Sequence, residues 1–134
     1  ARPAGGQWNF DSDNRRPARE APAPPVHPRH EPDAVTREVL ALVEERFAAH
    51  PGSLAHFAFA VTRAQAEAQM RWFLQHALPG FGDWQDAMLT GEPFLWHALL
   101  SPAINLGLID PLELCRAVER EWRAGRVPIN AAEG

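Results

Sequence analysis

At 134 residues and a formal net charge of −4, the chain is long enough for one small domain at most. It is too acidic to coat nucleic acid with its whole surface, although a local basic groove stays open. Its single cysteine, Cys115, excludes an internal disulfide and any metal site built from this chain's thiolates alone. No apolar run approaches membrane-spanning length and nothing resembles a signal peptide, so a soluble, cytoplasmic monomer with no membrane partner is expected. All the basic residues other than histidine are arginine, a bias that points to a GC-rich coding sequence.

Residues 1–32 offer little to pack. Pro3, Pro17, Pro22, Pro24, Pro25, Pro28 and Pro32 break any regular element, and Ala21 to Pro32 reads as an extended, polyproline-like linker. Gly5 to Arg15 sets Trp8 and Phe10 between a glycine pair and a polar cluster; in isolation this loop is expected to be disordered. Asp33 to His50 predicts a helix with Val35, Val39, Leu42, Val43 and Phe47 on one stripe, closed by Pro51-Gly52. Ser53 to Val61 alternates apolar and polar residues and reads as a short extended segment.

Thr62-Arg63-Ala64-Gln65 fits a capping box. The helix it opens is expected to run to Leu78 and to stop at Pro79-Gly80, with a second short helix over Phe81–Met88. The most apolar stretch follows, from Phe94 to Ile109, yet it carries His97, Ser101 and Asn105 four residues apart, on one face if helical. Ser101-Pro102 reads as a helix start with serine as the cap, closed by Gly107. An apolar segment with a polar stripe and an exposed helix start suits an anionic ligand. The competing reading is a core helix pair whose polar groups bond to backbone.

Asp110-Pro111-Leu112-Glu113 marks another helix start, and that helix runs to about Ala124 with Leu112, Cys115, Val118, Glu119 and Trp122 close to one side. Asn130 to Glu133 repeats the cap pattern just before the chain stops. With no initiator Met and a helix start at its end, the chain is expected to be a fragment of a longer protein. The six histidines lack metal-type spacing, and neither a phosphate-cradling glycine loop nor a nucleophile elbow is present. On residue type and position alone, Cys115 reads as a small buried hydrophobe.

The order of the motifs narrows the choice. Gly-Gly-Gln-Trp-Asn-Phe-Asp-Ser-Asp-Asn-Arg (Gly5–Arg15) resembles the segment that follows the N-terminal α/β domain in the photolyase-related proteins, the iron–sulfur bacterial cryptochromes and prokaryotic (6-4) photolyases. Phe81-Gly-Asp-Trp-Gln-Asp-Ala-Met88 is similar to their Phe-Gly-x-Tyr-x-Asp-Ala-Met element. His97-Ala-Leu-Leu-Ser-Pro-Ala-Ile-Asn-Leu-Gly-Leu108 resembles their form of the flavin signature, written Thr-Ser-x-Leu-Ser-Pro in other photolyases. Val127 to Gly134 is similar to the lead-in of a family helix.

The resemblance implies an all-α fold, the N-terminal part of a helical FAD-binding domain. Residues 1–32 would be the interdomain linker, and residues 33–134 the partial domain, truncated at its C-terminus. It implies FAD, with Trp84 and the run His97, Ala98, Leu99, Leu100 and Ser101 at its phosphates. Trp84 stands where the family has a tyrosine and Ala98 where it usually has a serine, so this site would offer fewer phosphate donors. Cys115 matches the first of four cysteines that carry a 4Fe–4S cluster in the full-length proteins, and a lumazine-type antenna chromophore would sit in the N-terminal domain. The implied activity is repair of (6-4) photoproducts in UV-damaged DNA by an electron from reduced, light-excited FAD, with the fragment alone inactive. Catalytic residues are not implied by any motif present. A cryptochrome-type light sensor of the same fold, and a helical interaction module without flavin, are the alternatives.

Overall fold

A computed structural model describes residues 2–134. Its helices are α1 (Ala34–Phe47), α2 (Arg63–Trp72), α3 (Leu78–Trp84), α4 (Ser101–Asn105), α5 (Pro111–Arg123) and α6 (Ile129–Glu133). Among the described residues, extended pairing is confined to one isolated bridge, Leu89 to Glu92, so the all-α expectation holds.

The start of α1 follows from its sequence: the Asp33 carboxylate accepts the Thr36 amide at 2.8 Å, satisfying one orphan donor. That bond to the charged form holds the Asp33 carboxyl below its ordinary range. The apolar stripe is present, but no residue of α1 is buried, and Val35, Val39, Leu42 and Phe47 stand exposed. The expected extended segment over 53–61 does not form. A strand needs a partner, and here a turn closes instead, with Phe57 N–H donating to Leu54 O at 3.0 Å.

The Thr62 capping box is complete: Thr62 Oγ1 accepts the Gln65 amide and Gln65 Oε1 accepts that of Thr62. The helix it opens does not stop at Pro79. Phe73–Ala77 forms a π turn, with Leu78 N–H reaching back five residues to Phe73 O, and α3 continues through Pro79 to Trp84. A proline within an α-helix lacks its own donor and strikes the carbonyl four residues earlier. The wider π turn relieves that collision and leaves Pro79 in the first turn of α3, where its missing N–H costs nothing.

The core gathers Phe73, Ala77, Leu78, Leu100, Ile109 and Val127, with Met70, Phe81 and Trp122 packed against it. The α3–α6 crossing leaves no room at Gly82, where a Cβ would lie 2.6 Å from Ala131 N and 2.7 Å from Asn130 Nδ2. Asn130 does not cap α6 as expected. Pro128 precedes the helix, and the Asn130 side chain is buried and turned to α3. Asp110 does cap α5, accepting the Leu112 amide at 2.9 Å. Within α5 the buried residue is Ala117. Cys115 lies about 200° round the helix from it and is exposed, so the buried-hydrophobe reading fails.

The mostly exposed segment 5–15 is held at two points. Phe10 and Asn14 are buried, while Trp8 stays exposed. The Phe10 ring fits because Gly5, at φ +71°, has no Cβ; one would stand 2.6 Å from Phe10 Cζ.

Gly82→Ala is expected to lower stability by about 1–3 kcal/mol, the usual cost of forcing atoms into a filled contact. Chemical denaturation measures it, and unchanged stability would refute the α3–α6 packing.

Candidate functional site

The segment from Phe94 to Leu100 is irregular, and its shape comes from two residues with left-handed backbone, Leu95 (φ +46°) and Leu99 (φ +54°). Each such leucine costs about 1–2 kcal/mol. Burying a leucine side chain returns roughly 1.5–3 kcal/mol, and Leu95, Trp96 and Leu100 are all buried, so packing outweighs the strain. Backbone strain of this kind clusters at functional sites.

Trp96 enters beneath α3 because residue 80 is glycine; a Cβ there would lie 2.8 Å from Trp96 Nε1. It stacks on Trp84 with ring centroids 5.3 Å apart, and Arg16 lies over the Trp84 ring at 5.9 Å. The Trp84 indole N–H is enclosed and has no acceptor among the described residues. His97 Nε2–H donates to Gln85 O at 3.0 Å, and Gln69 Nε2 donates to Ala98 O at 3.3 Å.

The helix begins one residue earlier than a serine cap requires. Leu100 is the N-cap, Ser101 the first helical residue, and the exposed Ser101 side chain caps nothing. Leu100 already has right-handed helical φ and ψ, which moves the Ser101 hydroxyl away from the capping position. His97 therefore precedes the helix, and His97, Ser101 and Asn105 do not share a helical face. Gly107 does close α4: at φ +71°, it lets Leu108 N–H return to Ala103 O at 2.8 Å.

The six expected flavin contacts divide in two. Trp84, His97 and Ala98 face protein partners. Leu99 and Leu100 line a mainly apolar cleft of about 660 Å³, within the range of small-molecule sites, and Ser101 opens to solvent beside it. Leu99 in the left-handed region followed by Leu100 in the right-handed one forms a nest, in which successive amides turn to one side and make an anion-binding concavity. The amides of Leu99, Leu100 and Ser101 donate to no acceptor among the described residues. Cys115 borders a separate apolar groove with Phe81, Val118 and Trp122. No group of three or more potential metal ligands occurs among the described residues.

Several supporting residues carried no signal of their own in the sequence. Asp83 accepts from buried Asn130 Nδ2 at 3.0 Å and pairs with Arg16 at 3.4 Å, while Arg16 N–H donates to Asp83 O at 3.1 Å. Asn14 Nδ2 donates to Asn130 O at 3.5 Å. Asp83 lies inside the Phe81–Met88 element, the one hint available. His27, which lines the cleft from the proline-rich segment, had none.

Residues 1–59 match the family of deoxyribodipyrimidine photo-lyase-related proteins. The chain is also 48% identical over 132 residues to a (6-4) photolyase of Agrobacterium fabrum (strain C58 / ATCC 33970), an alignment that covers 98% of this chain. The chain is therefore similar to photolyase-related proteins over almost its whole length. It spans 26% of that relative's length. The helical architecture agrees with the all-α fold that the resemblance implied.

Asp83→Ala removes the acceptor of a buried amide and the partner of Arg16. A loss of about 1–3 kcal/mol is expected, the cost of one buried polar group left unsatisfied, with faster proteolysis of residues 5–16. Unchanged proteolysis would show that Asp83 does not anchor that segment.

Proposed function

We propose that this chain is the FAD-holding beginning of the helical domain of a light-dependent DNA photolyase acting on (6-4) photoproducts. Residues 1–32 are the interdomain linker, here docked on α3 and α6, and residues 33–134 are part of the flavin domain. In the intact protein FAD supplies the light-driven electron, and UV-damaged DNA is the substrate.

The observation that carries the reading is the set of free amides at Leu99, Leu100 and Ser101, with the exposed Ser101 hydroxyl beside them. A pyrophosphate needs such donors. Helix α4 has only five residues, too short for a full macrodipole, so the donors themselves must hold the charge. The enclosed Trp84 and the engaged His97 then shape the loop, with phosphate contact narrowed to Leu99–Ser101. Cys115 fits the place of a 4Fe–4S ligand, since its exposure leaves the thiolate within reach of ligands from elsewhere in a longer protein.

The flavin content of the intact protein that contains this chain tests the proposal. Ser101→Ala is expected to weaken FAD binding by about 10- to 150-fold, in keeping with roughly 1.5–3 kcal/mol for a hydrogen bond to a charged group. If the reconstituted intact protein retains no flavin, the proposal fails. Cys115→Ser is expected to abolish iron–sulfur absorbance; iron content equal to the unsubstituted protein would remove Cys115 from the ligand set.

A further inference from the structure

Pro24–His30 forms an extended strap along one wall of the cleft. Proline has no amide to donate, so the strap has few backbone bonds to offer; His30 N–H donates to Ala58 O at 3.1 Å. The His27 side chain provides the other attachment. Its ring packs on Trp72 with centroids 4.3 Å apart and on Phe94 at 5.5 Å. Its Nε2–H donates to Leu95 O at 3.0 Å. Leu95 is the first of the two strained leucines that shape the loop to Ser101.

We infer that His27 is a positioning residue that fixes the head of the Phe94–Ser101 loop, and that it does so only as the neutral imidazole. The second nitrogen, Nδ1, is buried with no partner. In the neutral ring it is an acceptor left empty. In the cation it becomes a buried donor with no acceptor, an arrangement costing about 1–3 kcal/mol or more for a charged group.

The surrounding charges do not reverse this. His97 stands on the same loop and its positive form opposes a charge on His27. His76 lies behind Trp72. Arg29 and His30 on the strap and His56 before α2 border the cleft, and Glu92 supplies its one carboxylate, which makes no bond to His27. Burial is the largest influence and holds His27 below its ordinary value near 6.5, outweighing the Leu95 hydrogen bond, which by itself favours the cation, with His97 adding to the burial effect. The docked strap therefore binds fewer protons than the released one. Its docking is complete above pH 6.5 and weakens as pH falls from there to the lower docked value, below which no further loss occurs. The inference concerns the fold of the loop and stands apart from what the loop binds.

Proton NMR of the flavin-free 134-residue chain gives the test. The His27 ring is expected to titrate below 6.5. Protection of the His97 amide, which donates to Phe94 O at 2.9 Å, corrected for intrinsic exchange, should fall over the same interval by up to about tenfold per unit of displacement. His27→Gln retains a side-chain donor without titrating, and should keep the protection but lose its pH dependence. His27→Phe keeps the ring packing without the donor, and should lose protection at every pH. Protection that is flat with pH in the unsubstituted chain, or an unaltered pH dependence in His27→Gln, overturns the inference. If a variant fails to fold, the ring titration and protection profile of the unsubstituted chain decide alone.

Discussion

The fold turns on one carboxylate. Asp83 receives the buried Asn130 amide and pairs with Arg16, while its backbone carbonyl accepts the Arg16 amide. Three segments distant in sequence meet there: the N-terminal loop, α3 and α6. The Arg16 guanidinium is more than half exposed, so its ion pair contributes little by itself. The stronger constraint is the buried amide of Asn130, which has nowhere else to donate and would be left unsatisfied without Asp83. Because Trp84 is the next residue, the same node sets the stack of Trp84 on Trp96 and so the depth of the Phe94–Leu100 loop.

The helices were legible wherever local chemistry specifies them. Asp33, Thr62 and Asp110 each accept the amide their capping position predicts, and Gly107 closes α4 as glycine after a helix should. Reading failed where tertiary packing overrides a local rule. Pro79 looked like a stop because the rule assumes an α-helix, and the π turn removes the collision on which the rule depends. Asn130 has the chemistry of a cap, yet α3 offers it a buried acceptor. Cys115 looked internal because the periodic stripe of α5 is broad, but its centre lies on Leu114, Ala117 and Val118.

The candidate site was legible as a stretch but not as a geometry. The apolar run with interspersed polar groups marked Phe94–Ile109, and family resemblance singled out His97 to Ser101. Neither could reveal left-handed backbone at two leucines, since leucine carries no preference for it. That conformation turns the amides of Leu99–Ser101 to one side and scatters the every-fourth stripe. His27 was hidden for a different reason: a histidine among prolines has no periodicity, and its role arises only from the surface on which the strap lies.

The π turn has a consequence for how this surface can change over time. One residue added to a helix rotates everything beyond it by about 100°. Gly80 and Gly82 face Trp96 and α6 only with Phe73–Ala77 wound as it is. A one-residue deletion there would leave every contact residue intact in sequence, yet turn both glycines away from the rings and backbone they accommodate. The spacing between Phe73 and Gly80 is thus constrained as tightly as the identity of any side chain in the core.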